Sequence, residues 1–260
     1  MTEQQGGSSA QTAEDLRGQV ALITGASSGI GAAVAEALAR RGMRVALAAR
    51  RAERLQELAQ RLASAPGGET LTIQCDVRDP DAVQRMVRAT LDRWGRLDVL
   101  VANAGLGYRS PVVDGDIERW KVLIDTNVYG LLLTLKYGVP PLLERKRGHV
   151  IVTSSVAGRV ATAGGAAYCG TKFAATAIAE SLRQEVGPQG VRVTTIEPGV
   201  VLSEFQAVAG YTPEILAGML KGAEPLVPAD IARAVLFAIE QPAHYAVNEI
   251  VVRATGQAYP

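Results

Sequence analysis

Cysteine is scarce in this chain, with only Cys75 and Cys169 among 260 residues. So small a number excludes a disulfide framework as the source of stability, and a cytoplasmic enzyme is the simplest setting for it. Charge of one sign is missing too: 27 Lys and Arg stand against 26 Asp and Glu, with no long run of either. That balance leaves no electrostatic footprint for nucleic acid or for an anionic membrane surface. No apolar run approaches the roughly 18 residues that a membrane-spanning helix needs. Histidine is limited to His149 and His244, too few and too isolated for a metal cluster. The opening MTEQQGGSSAQTAEDLRGQ has no basic stretch followed by an apolar one, so it does not read as a secretory signal. Residues 1–16 are expected to form a disordered tail, with residues 17–260 as one domain.

What the chain does have is a rhythm. Seven short apolar runs, at residues 20–26, 44–50, 70–77, 97–105, 149–155, 191–199 and 248–254, alternate with stretches of helical periodicity such as GAAVAEALARRG and AERLQELAQRLAS. Most of the runs are apolar at consecutive positions, as strands covered on both faces must be. Strand and helix in alternation predict an α/β fold, a doubly wound Rossmann-type parallel sheet of seven strands with helices on both faces. The rhythm breaks at residues 200–228, VVLSEFQAVAGYTPEILAGMLKGAEPLVP, which follow a strand's C-terminal end and are expected to form a substrate lid.

The first strand runs into TGASSGIG, in which Gly25, Gly29 and Gly31 punctuate a turn at the start of a helix. Glycines there let the backbone approach a pyrophosphate at the positive helix N-terminus. At the end of the second strand, where a carboxylate would greet a free ribose 2′-hydroxyl, the chain has Arg50 and Arg51 instead. Two guanidiniums favour a 2′-phosphate, which predicts NADP(H) over NAD(H). Farther on, AAYCGTKFAATA sets Tyr168 and Lys172 one helical turn apart in an otherwise nearly nonpolar segment. Alone, such a pair is an ordinary surface contact.

These stretches, with CDV at 75–77, ANAG at 102–105, DTNVYG at 125–130, VTSSVAG at 152–158 and EPGVVLS at 197–203, occur in the order found in short-chain dehydrogenases/reductases, a family the chain resembles over about residues 17–255. The C-terminal part most resembles the subgroup of NADP-dependent serine/3-hydroxy acid and clavulanate-type dehydrogenases. The resemblance implies hydride transfer between NADP(H) and a carbonyl or secondary alcohol, in a homodimer or homotetramer. It implies Gly25, Ser27, Ser28, Gly29, Ile30 and Gly31 at the cofactor's phosphates, and Asp76 at the adenine amine with Val77 beside it. Asn103, Ala104 and Gly105 would line the ribose–phosphate path, and Pro198, Gly199, Val201 and Ser203 the nicotinamide carboxamide. Asn127 would hold a water of the proton relay. Ser155 rather than Ser154 matches the catalytic serine, thirteen residues before Tyr168 (168 − 155 = 13). Ala102 departs from the family's usual asparagine, a residue tied to sheet stability rather than chemistry.

In this reading Tyr168 is the acid for reduction and the base for oxidation, and Ser155 holds the substrate oxygen. A lysine ammonium about 4 Å from a phenol is worth of order 4 kcal/mol at an effective dielectric near 20. Lys172 should therefore pull the phenol down from about 10 by roughly one to three pH units. Its second task would be to grip the nicotinamide ribose. Cys169 is expected to point away from the site, Arg109 and Arg159 to be solvated loop residues, and Phe205, Tyr211 and Met219 to lie in the lid, either as packing or as contacts in an apolar substrate pocket. Ala174, Ala175 and Ala177 would let the Tyr168 helix pack closely against a second subunit. Two alternatives stay open: a 3-oxoacyl-thioester reductase, which shares every catalytic residue, and a non-catalytic NADP(H)-binding regulator.

Overall fold

The computed structural model describes residues 14–257. Its seven strands are β1 (Val20–Thr24), β2 (Arg44–Ala49), β3 (Thr70–Gln74), β4 (Val99–Ala102), β5 (Gly148–Thr153), β6 (Val191–Pro198) and β7 (Glu249–Val252). All pair in parallel, in the order β3-β2-β1-β4-β5-β6-β7. Every residue of β1 and β4 is buried, whereas the edge strands β3 and β7 are partly open. In β1, Ala21 and Ile23 face one core and Val20 and Leu22 the other. Consecutive apolar residues are needed because side chains alternate in direction and both faces are covered.

The helices are α1 (Gly29–Arg40), α2 (Ala52–Leu62), α3 (Pro80–Trp94), α4 (Ile117–Ile124), α5 (Gly130–Gly138), α6 (Pro140–Glu144), α7 (Ala166–Val186), α8 (Phe205–Ala209), α9 (Pro213–Leu220) and α10 (Pro228–Ile239). One core is lined by α1, α2 and α10, the other by α3, α5 and α7. A single π-helical turn, Asp125–Tyr129, joins α4 to α5. Among the described residues no helix is long and apolar enough to cross a membrane. The strand order reverses between β1 and β4, and at such a switch point the connecting segments diverge and leave a crevice beyond the carboxyl ends.

One expectation needs adjusting. Of the tail assigned to residues 1–16, residues 1–13 lie outside the described residues, but Glu14 to Leu16 are anchored. Leu16 is buried in the core, and the Glu14 carboxylate takes Arg147 at 2.7 Å and Arg192 at 3.6 Å. On α7, Ala175 is buried in the molecule's own core while Ala177 is exposed.

Gly31 decides how close α1 comes to the sheet. A Cβ there would stand 2.4 Å from the Gly25 carbonyl oxygen and 2.6 Å from Asn103 Nδ2, with no room to relax. Gly218 in α9 has open space around it. We therefore expect Gly31→Ala to destabilise the fold by about 1–3 kcal/mol through overpacking. Gly218→Ala should stabilise it by about 0.4–1 kcal/mol by restricting the unfolded chain. Denaturant unfolding of the two variants checks both signs.

Candidate active site

A cavity of about 610 Å³ opens at the carboxyl ends of the strands and runs from the start of α1 to the start of α7. At its first end, Gly25 and Gly29 take left-handed backbone with φ of 68° and 55°. Ser28 precedes α1 without a side-chain cap, and the first turn of α1 holds no acid. The leading N–H groups are thus free to meet an anion. Arg50 and Arg51 flank them; Arg51 donates to Ser27 Oγ at 3.1 Å, to Ser28 Oγ at 2.8 Å and to Glu204 Oε2 at 2.9 Å. Gly25, Ser27, Ser28, Gly29 and Ile30 line the cavity, but Gly31 does not: it sits beneath the turn as the contact that admits α1.

Asp76 and Val77 line the wall beyond β3. The Asp76 carboxylate is tied to the Arg78 guanidinium at 2.6 Å, and this pairing holds it below the usual carboxylate range. Asn103 joins three strand ends: its Nδ2 donates to the Thr24 carbonyl at 3.1 Å and its Oδ1 accepts from Thr153 Oγ1 at 3.2 Å. Ala104 and Gly105 follow it along the cavity.

At the other end the two adjacent serines separate. Ser154 Oγ donates to the Lys172 carbonyl at 3.0 Å and meets Thr176 Oγ1 at 2.9 Å, so it is a packing serine. Ser155 lines the cavity beside Tyr168; its Oγ donates to the Pro198 carbonyl at 3.4 Å and accepts from Ala157 N–H at 3.1 Å. Tyr168 and Lys172 lie one turn apart on α7, with Lys172 Nζ 5.9 Å from the Tyr168 ring centre and donating to the Thr153 carbonyl at 3.0 Å. Pro198, Gly199, Val201 and Ser203 close the wall after β6.

The electrostatics of the free protein reverse one expectation. Desolvation pushes the Tyr168 phenol above its ordinary value, only partly opposed by the Ser155 hydroxyl beside it. Burial lowers the Lys172 ammonium to about 8. Both groups are thus driven towards their neutral forms, and Lys172's direct partner is a carbonyl rather than the phenol. Asn127 is held from three sides. Its amide is engaged by Leu106 N–H at 2.9 Å, the Leu106 carbonyl at 2.8 Å and Thr171 Oγ1 at 3.0 Å. It does not line the cavity; it clamps the segment after β4 to α7.

Several residues reach the site that sequence reading had elsewhere. Cys169 and Arg109 line the cavity, Arg109 lying 5.7 Å over the Tyr211 ring. Phe205 packs 5.8 Å from Tyr168 and 6.4 Å from Tyr211. Gln257 accepts from Val200 N–H at 3.2 Å, and a Cβ on Gly199 would come within 2.5 Å of the same oxygen. Arg159 is an exposed turn residue that pairs with the buried Glu197 and with Glu249. Among the described residues there is no group of three His, Cys, Asp or Glu side chains able to hold a metal.

A family model described as short chain dehydrogenase matches residues 19–212. An uncharacterized oxidoreductase of Staphylococcus saprophyticus is 36% identical over 239 residues, covering 92% of this chain and 98% of that protein. A glycine betaine reductase of Emericella nidulans is 41% identical over 238 residues; the match takes in 91% of this chain but spans only 19% of that longer protein. Among solved structures, an alcohol dehydrogenase from the archaeon Thermococcus sibiricus complexed with 5-hydroxy-NADP superimposes with a TM-score of 0.84 at 34% identity, covering 93% of this chain and 99% of that one.

The burial of Tyr168 and Lys172 makes a spectroscopic prediction for the cofactor-free protein. The Tyr168 phenolate, isolated by subtracting the pH-difference spectrum of Tyr168→Phe, should form only above the ordinary 10.0. The Lys172 amine, followed by NMR, should lose its proton near 8.

Proposed function

The chain belongs to the short-chain dehydrogenase family, and from that membership we propose that it is an NADP(H)-dependent enzyme moving a hydride between the cofactor and a small carbonyl compound or secondary alcohol. The observation that carries this reading is the makeup of one cavity. Ser155, Tyr168 and Lys172 line one end, and the acid-free start of α1 with Arg50 and Arg51 lines the other. The residues suit the cofactor: Gly25 admits a backbone approach that a side chain would block, since its Cβ would lie 2.9 Å from Ala104 Cα. Arg50 has no side-chain hydrogen-bond or ion-pair partner among the described residues and faces the same corner, ready for a phosphate.

A bound nicotinamide supplies or accepts the hydride. The protein's own residues manage the oxygen. Ser155 Oγ donates to it and orients the carbonyl. Tyr168 Oη delivers a proton to that oxygen as the carbon is reduced, and removes it when the alcohol is oxidised. Because burial keeps the phenol protonated, Tyr168 is ready as an acid, which suits reduction. Lys172, held by the Thr153 carbonyl, stabilises the phenolate left behind until solvent returns the proton. Asn127 keeps the loop carrying Gly105 and Leu106 in place against α7. Residues 200–228, including α8 and α9, act as the substrate lid.

The same reading makes the enzyme cytoplasmic, with both cysteines free and buried. It also makes the enzyme a homodimer or homotetramer, with exposed Tyr129, Leu132 and Phe173 on α5, α7 and the turn before α5 as the joining face. Light scattering should therefore give a mass of two or four chains. NADPH oxidation with a panel of aldehydes, ketones and oxoacyl thioesters should show turnover, with a lower KM for NADPH than for NADH. Tyr168→Phe should lower kcat by about 10²- to 10⁴-fold while leaving NADPH affinity within about two-fold. A Tyr168→Phe variant that keeps most of its kcat overturns the mechanism.

A further inference from the structure

We propose that Glu204 is a specificity-determining residue that competes with the cofactor's 2′-phosphate for Arg51. It thereby limits the NADP(H) preference and ties cofactor identity to the ring over Tyr168. This rests on the NADP(H) reading above.

The donors of Arg51 are nearly all taken. Its Nε and Nη2 reach Ser27 Oγ at 3.3 and 3.1 Å, Nη2 reaches Ser28 Oγ at 2.8 Å, and Nη1 reaches Glu204 Oε2 at 2.9 Å. A phosphate binds a guanidinium best through two N–H groups on one edge. One such edge, Nη1 with Nη2, is where Glu204 and Ser28 now sit. A 2′-phosphate must displace the carboxylate or lie beside it, and both options cost binding energy through like charge. Glu204 is free to be that competitor. It lies in the same cavity, its carboxylate has no other cation at hydrogen-bond distance among the described residues, and both partners are half-exposed. An exposed ion pair of this sort contributes little to stability, so it can be exchanged cheaply. Arg50 beside it stays open, and the corner therefore offers a phosphate one unoccupied guanidinium and one contested one.

The contested bond is wired to the reacting end through a single peptide link. Phe205, the next residue, packs 5.8 Å from the Tyr168 ring. The backbone between is braced by Gln206, which accepts from Ser203 N–H at 2.8 Å and donates to the Val201 carbonyl at 2.5 Å. Residues 201–206 thus form one piece, with a carboxylate aimed at the phosphate corner and a ring aimed at Tyr168. Releasing Glu204 frees that piece, and a ligand without a 2′-phosphate leaves it latched.

Calorimetric titration with adenosine 2′-phosphate and adenosine 5′-phosphate, and fluorescence titration with NADPH and NADH, test the competition on wild type, Glu204→Gln and Arg51→Ala. Glu204→Gln should tighten the two 2′-phosphorylated ligands by about five-fold and leave the other two within about two-fold. Arg51→Ala should weaken only the 2′-phosphorylated ligands. In hydrogen exchange, residues 203–211 of wild type should lose protection with adenosine 2′-phosphate and keep it with adenosine 5′-phosphate. Equal gains on all four ligands, or no gain in Glu204→Gln while Arg51→Ala still weakens NADPH, overturn the role of Glu204. Tighter binding of NADH than NADPH by wild type overturns the NADP(H) reading itself.

Discussion

The close approach of α1 to the strand ends is the contact on which the rest of the site depends. Gly31 rests against the Gly25 carbonyl and the Asn103 amide, with no space for even one carbon more. Because of it, the open N-terminus of α1 stands beside the crevice left where the strand order reverses between β1 and β4. Asn103 bonds to Thr24 and Thr153, so the ends of β1, β4 and β5 are held in one arrangement. The position of the start of α1 relative to Ser155, after the end of β5, follows from these few bonds.

The second constraint is burial of charge. Lys172 is 7% exposed, and lowering its ammonium from 10.5 to about 8 corresponds to a penalty of about 3 kcal/mol for the charged form. Tyr168 is pushed in the opposite direction by the same cause. The free protein thus holds an acid with its proton on and an amine close to losing its own.

Much of this was legible in the residues. Six of the seven strands lie within their apolar runs and β5 starts one residue earlier, at Gly148, because strands covered on both faces must be apolar at consecutive positions, a local signature. Arg50 and Arg51 could be placed beside the start of α1 because the end of β2 faces it in any doubly wound sheet. The choice of Ser155 over Ser154 came from its spacing to Tyr168; in the fold Ser154 Oγ is taken up by the Lys172 carbonyl and Thr176 Oγ1, while Ser155 Oγ donates to the Pro198 carbonyl. Partners distant in sequence were not legible: Asn127 spends its amide on Leu106 and Thr171, Arg159 pairs with Glu197 and Glu249, and the buried Cys169 lies along the cavity wall.

By itself, then, the amino-acid order determined the strand–helix alternation, the glycine turn, the basic residues after β2 and the helical pairing of Tyr168 with Lys172. Each of these is set by neighbours within a few residues, where periodicity and backbone sterics are decisive. Only the tertiary structure decided that Glu204 meets Arg51 across 153 positions, that Gln257 braces Val200, and that Lys172 is dry enough to titrate near 8. Those outcomes depend on which segments the folded sheet brings together and how much water they exclude. Neither quantity is written in any local pattern.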